Sequence, residues 1–182
     1  WRGVDPIVTA SQIVLGLQTI TSRQLDLRKG AAVISIGSIR GGNRGNIIPD
    51  TVEMIGTIRT FVPGLEQVIA ERIRRTAQSI AQSAGATAEV KVSGSLPPTV
   101  NDGALTRKML PTLRRVAGDR FDAEATPMTT AEDFALFAQA IPGLYFFLGI
   151  VPPGQDPAGA APNHSPHFYV DESALPVGVR AM

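Results

Sequence analysis

The order in which hydrophobic periodicity changes along residues 6–92 constrains this chain more than any other feature. Ala10, Ile13, Val14, Leu17 and Ile20 recur at the spacing of one helical face. They follow an Asp5-Pro6 pair that reads as an N-cap and first helical residue. The period then drops to two. Ala32, Ile34 and Ile36 alternate with Val33, Ser35 and Gly37, and Val52, Met54 and Ile58 alternate with Glu53, Thr57 and Arg59. The turn-rich Gly41–Asn46 lies between these runs and predicts a two-strand hairpin. Leu65, Val68, Ile69, Ile73, Ile80 and Ala84 return to helical spacing, and Gly85 stops that helix. Ala88, Val90 and Val92 alternate with Glu89 and Lys91 and predict a third strand. Helix, strand, strand, helix, strand is an α+β order. It is the split βαββαβ, ferredoxin-like unit without its first strand, which belongs just upstream of Trp1. The sheet edge left by that strand is a liability for an isolated domain.

Gly94–Pro98 changes the texture and reads as a linker. This places a first domain over residues 1–98 and a second over 99–182. In the second, Asn101 or Asp102 opens a helix through Leu105, Met109, Leu113 and Val116, with a kink expected at Pro111. Thr130-Ala131-Glu132-Asp133 resembles a capping box for a helix reaching about Ala140. The continuous apolar run Leu144–Leu148 predicts a strand covered on both faces, as in an α/β sheet. Asp171 opens a last helix that the chain does not finish. The first residue is not an initiator methionine, so a piece of a longer protein is expected.

Composition removes several classes. The chain has 182 residues, 43% hydrophobic and 18% charged, which suits a packed core. A formal net charge of +1 gives no reason to expect nucleic acid or an acidic membrane surface as partner. No run approaches the length that crosses a bilayer. With no cysteine there is no disulfide, thiolate ligand or cysteine nucleophile, and cytosol and periplasm both stay open.

Both histidines lie in Pro162-Asn163-His164-Ser165-Pro166-His167-Phe168. A lone histidine is more often a surface turn residue than a ligand, but a proline-bounded turn also suits an imidazole held for a transition metal. One such residue does not complete a site, which takes three or four protein ligands. His167 reads as a surface residue or a support for a ligand. Glu132 and Asp133 form an acid pair at a helix start. Asp133 is explained by capping and the helix dipole, while Glu132 is either solvated or at a functional site. Asn46, in the glycine loop, offers an amide to a carbonyl or carboxylate. That loop lacks the Gly-Lys-Ser/Thr ending of a phosphate-binding loop. Arg59 is either a solvent-facing strand residue or a fork for a substrate carboxylate. No serine sits in a nucleophile elbow.

Six segments in order resemble a known family. They are Arg2-Gly3-Val4-Asp5-Pro6-Ile7, Gly41-Gly42-x-x-x-Asn46-x-Ile48-Pro49-Asp50, Gly56-Thr57-x-Arg59-Thr60-Phe61, Glu132-Asp133-Phe134, His164-Ser165-Pro166, and Asp171-Glu172-x-Ala174-Leu175-Pro176. The family is that of metal-dependent amidohydrolases: aminoacylases, hippurate hydrolases and auxin-conjugate hydrolases, within the co-catalytic metallopeptidases. The resemblance implies a ferredoxin-like lid that often dimerises, over residues 1–98. It implies the C-terminal part of an α/β catalytic domain over residues 99–182. It implies His164 as a metal ligand, Asn46 and Arg59 as substrate contacts, and Glu132 at the active site. The complete enzyme would hold two divalent ions (zinc, manganese, cobalt or nickel) and cleave N-acyl amino acids or small peptide-like conjugates. It would work as a homodimer through the lid. The remaining ligands, the general-base glutamate and the lid histidine for the oxyanion would precede Trp1. The piece alone is therefore expected to be metal-free and inactive. The competing reading is a non-catalytic dimerisation or binding module with the same ferredoxin-like fold.

Overall fold

The computed structural model describes residues 1–94 and 96–182, so Ser95 of the predicted linker lies outside the described residues. Helices and one small antiparallel sheet divide between two units. The first is Trp1–Pro98 with Met128–Glu132, and the second is Thr99–Pro127 with Asp133–Met182.

In the first unit, α1 spans Pro6–Thr19. The Asp5 carboxylate accepts from the N–H groups of Ile7 (2.8 Å) and Val8 (3.2 Å), so the acid and the proline act as the sequence indicates. The helix widens into a π-helical turn at Ile20–Gln24, where the Arg72 guanidinium donates to the Gln24 carbonyl. β1 (Ala32–Gly41) and β2 (Val52–Thr60) form the antiparallel hairpin, in register Ile34↔Ile58 and Val33↔Arg59. The pairing jumps from Ile36↔Gly56 to Ser38↔Ile55, which leaves Gly37 as the extra residue of a bulge. α2 runs Leu65–Ser83. It ends in a Schellman pattern: Ala86 N–H donates to the Ala81 carbonyl (2.8 Å) and Gly85 N–H to that of Gln82 (3.0 Å), with Gly85 left-handed at φ 76°.

The core lies between the helices and one face of the hairpin. Ile13, Leu17 and Ile20 meet Ile69, Ala77 and Ile34, with Ile36, Met54 and Ile58 packed around them. Ile20 and Ile69 are fully buried, each stabilising the unit by roughly 1.5–3 kcal/mol. The helices approach closely at Gly16, where a Cβ would come within 2.6 Å of Ile80 Cδ1.

The third strand expected at Ala88–Val92 does not form among the described residues. Ala86, Ala88 and Val90 are half-buried while Thr87, Glu89 and Lys91 are exposed, so the alternation of an extended segment is present. Ala88 and Val90 pack on the same core as the hairpin. Yet the sheet of the described residues has two strands only, because no neighbouring strand supplies a ladder to this segment.

In the second unit, α3 spans Gly103–Ala117 and passes through Pro111. Asp102 caps it, accepting from Leu105 N–H at 2.7 Å. α4 spans Phe134–Ala140, and α5 spans Leu175–Ala181 behind a 3₁₀ turn, Glu172–Ala174, capped by Asp171. Two expectations fail. Asp133 occupies the N-cap position of α4 in a helical conformation (φ −73°, ψ −18°) and makes no side-chain capping bond. A cap needs the extended backbone that aims its oxygen at the following N–H groups. The Leu144–Leu148 run makes no ladder among the described residues, and Phe147 is 60% exposed. Its backbone is bracketed by a side chain instead: Asn101 Nδ2 donates to the Tyr145 carbonyl (2.9 Å) and Asn101 Oδ1 accepts from Tyr145 N–H (2.7 Å).

Candidate functional site

Asn46 lies in the loop that joins β1 and β2. Gly42 turns that loop with φ 72°, and Ile47 N–H closes a turn on the Arg44 carbonyl at 3.4 Å. Asn46 is exposed, and its amide stays available to a ligand's polar groups.

Arg59 stands on the exposed face of β2, because Ile58 and Thr60 on either side take the half-buried positions. Its guanidinium donates to the Thr129 carbonyl at 2.8 Å. That bond ties the sheet to Met128–Glu132, the stretch that clusters with the first unit despite lying about 30 residues beyond Pro98 in the chain. Glu132 is half-buried at the end of this stretch. Sequence reasoning missed Thr129. A backbone acceptor has no side-chain signature, and the 70-residue separation leaves no local pattern.

His164 belongs to the second unit. Ser165 N–H donates to the Pro162 carbonyl at 3.1 Å, closing a turn whose third residue is His164. A second turn follows, with Phe168 N–H on the Ser165 carbonyl (3.1 Å) and His167 N–H on Ser165 Oγ (3.1 Å). His164 is exposed and left-handed, at φ 71°. It is the non-glycine residue with positive φ among those described. Such a conformation favours glycine and costs on the order of 1 kcal/mol elsewhere, although histidine, like asparagine and aspartate, adopts it more readily than most side chains. His167 is also exposed.

Downstream, Asp171 accepts from the side chain of Ser173 (2.8 Å) and from its N–H (3.0 Å). These bonds hold its carboxyl below the usual carboxylate range, the side-chain bond most of all.

Asn46, Arg59 and Glu132 thus belong to the first unit and His164 to the second. Among the described residues no group of three or more His, Asp or Glu side chains converges as a metal site requires. The described residues do not by themselves make up a metal centre.

Residues 6–182 match Peptidase family M20/M25/M40. The N-acetylcysteine deacetylase of Bacillus subtilis is 38% identical over 176 residues, which are 97% of this chain and 44% of the relative. The IAA-amino acid hydrolase ILR1-like 2 of Arabidopsis thaliana is 36% identical over 180 residues, 96% of this chain and 39% of the relative. Among solved structures, the YxeP protein of Bacillus subtilis, a dinuclear metal-binding peptidase from the M20 family, superposes with a TM-score of 0.69 at 36% identity. That match covers 98% of this chain and 44% of YxeP. The chain thus spans less than half the length of these relatives. With the match running from the first turn of α1 to the last residue, the chain belongs to peptidase family M20/M25/M40.

Proposed function

We propose that this chain is the lid and the C-terminal catalytic portion of a metal-dependent amidohydrolase that cleaves N-acyl amino acids or small peptide-like conjugates. The observation that carries this reading is the family match along residues 6–182. The relatives' names add one chemical theme. N-acetylcysteine, N-acetyldiaminopimelate and an IAA–amino acid conjugate all join an acyl group to an amino acid through an amide.

Residues 1–98 are the ferredoxin-like lid without its first strand, and residues 99–182 the catalytic portion. The break between the units after Pro98 supports this division. So does the behaviour of Ala86–Val92. In a βαββαβ topology the last strand pairs with the first. Without that neighbour it keeps its buried alternation and its packing on the helices but has no ladder. The lid pairs two copies of the enzyme, a role that suits the exposed apolar residues Val33, Ile39 and Ile55 of the hairpin.

His164 is one ligand of a two-ion centre (zinc, manganese, cobalt or nickel), and its left-handed turn supports that role. The other ligands and the general base come from polypeptide outside this chain, which accords with the lack of a three-donor cluster among the described residues. When bound, the ions would polarise the scissile carbonyl and activate water. Asn46 and Arg59 hold the polar groups of the substrate. Arg59 uses one N–H on Thr129 and keeps other donors of its fork for a carboxylate. Glu132 lies at the substrate site.

The test assays amino-acid release from a panel of N-acyl amino acids with added zinc or manganese. Full-length protein is expected to turn over, and residues 1–182 alone are not. A full-length protein inert on every member overturns the amidohydrolase reading. Turnover by residues 1–182 alone overturns the assignment of the base to another segment.

A further inference from the structure

α3 carries two cationic doublets, Arg107-Lys108 and Arg114-Arg115, seven residues apart, and no acidic residue between Gly103 and Ala117. Seven residues are two helical turns, so the doublets sit one above the other about 10 Å apart on one face. All four side chains are exposed. The ion pairs of the described residues lie elsewhere, at Arg28, Arg74 and Lys91, so among those residues no salt bridge engages these four. The opposite face, Leu105, Met109, Leu113 and Val116, is half-buried or buried.

This concentration is not a reflection of the whole chain, whose 17 basic and 16 acidic residues nearly balance. Arg107, Leu110, Pro111, Arg114 and Arg115 line one shallow, open groove of about 570 Å³ on this face. Its ends are guanidinium groups and its middle is the apolar pair Leu110 and Pro111. The Arg114 guanidinium stacks 5.6 Å from the Phe121 ring centroid, which limits the rotamers it loses on binding.

We propose that this groove is a second binding site, for an organic molecule with an anionic group at each end and an apolar middle. The guanidinium forks at Arg107 and Arg114 take the two ends, and Leu110 and Pro111 take the chain between them. Carboxylate and phosphate share the required chemistry, planar or tetrahedral oxygens accepting paired N–H bonds. The groove shares no residue with the substrate contacts proposed above, and the proposal does not depend on them.

The experiment titrates the full-length protein with linear α,ω-dicarboxylates and α,ω-bisphosphates of increasing length, at constant ionic strength, by calorimetry and NMR shifts. Affinity is expected to rise with length, by about tenfold over the shortest member once the ends span two helical turns. The stronger of the two series identifies the headgroup. Arg107→Ala with Arg114→Ala is expected to lower that affinity about tenfold at unchanged Tm, as is Arg115→Glu. Absence of binding, binding that is independent of length and vanishes with added salt, or full binding by the double variant overturns the proposal.

Discussion

The Arg59 guanidinium donates to the Thr129 carbonyl oxygen at 2.8 Å, across 70 residues of sequence. This bond joins β2 to the stretch that ends in Glu132. Two residues singled out on separate grounds in the sequence are thereby linked through a backbone acceptor between them.

Arg59→Ala should therefore loosen residues 128–132. The bond is exposed, so the loss of global stability should be at most about 1 kcal/mol. Amide exchange along 128–132 should rise while that of α2 stays unchanged. In the full-length enzyme KM for an N-acyl amino acid should rise about tenfold, the effect of losing one charge-assisted contact. Arg59→Lys should recover little of it, because an ammonium lacks the planar fork. Unchanged exchange and unchanged KM would remove Arg59 from the substrate site.

Gly56 belongs to the Gly56-Thr57-x-Arg59 segment for a steric reason. A Cβ there would lie 2.4 Å from the Ser35 carbonyl oxygen and 2.9 Å from Ile36 Cδ1, beside the bulge at Gly37. The blocking atom is strand backbone, which cannot swing aside as a side-chain tip can. Gly56→Ala is expected to destabilise the first unit by about 1–3 kcal/mol. Gly37→Ala, with nothing within 4 Å of its Cβ, serves as the control and should cost far less. Urea unfolding of both variants decides it.

What was legible in the sequence was local. Asp5, Asp102 and Asp171 each precede an apolar-periodic segment, and each accepts from N–H groups just downstream. Gly85 ends α2 as a left-handed residue must. What was not legible depended on partners. Ala88–Val92 and Leu144–Leu148 have strand-like side chains, but a ladder is a property of two segments, and neither finds a second among the described residues. Asp133 failed as a cap because its backbone turned helical one residue early, which composition does not reveal. The site divided in the same way. His164 stands out in the sequence through its prolines, whereas its left-handed conformation and the Thr129 acceptor of Arg59 are properties of the folded chain with no local sequence signature.

Asp171 predicts a specific acid response. Its two bonds from Ser173 lower its folded pKa below the ordinary value of 3.8. The unfolded chain therefore binds the proton first on acidification. The contribution of Asp171 to stability is complete above about pH 3.8 and is lost as pH falls through the folded value. Asp171→Asn should flatten this part of the acid limb, and Ser173→Ala should shift the Asp171 titration upward toward 3.8 in an NMR carboxyl experiment. An Asp171 titration unmoved by Ser173→Ala would assign the shift to another cause.

His164 separates backbone from side chain cleanly. Its φ of 71° suits glycine, so His164→Gly removes the strain that His164→Ala retains, on the order of 1 kcal/mol. If the histidine were only a turn residue, the glycine variant would be the better protein in every respect. If the imidazole binds metal, both variants should lose metal to a similar degree, whatever their Tm values. Activity of the full-length enzyme should then fall at least about 100-fold, because removing even the hydrogen-bonding supports of metal ligands costs 10–100-fold. Metal content by mass spectrometry, kcat and Tm, measured together on the two variants, distinguish the outcomes. Full metal content with full activity in His164→Gly would leave the turn without a function and remove the ligand assignment.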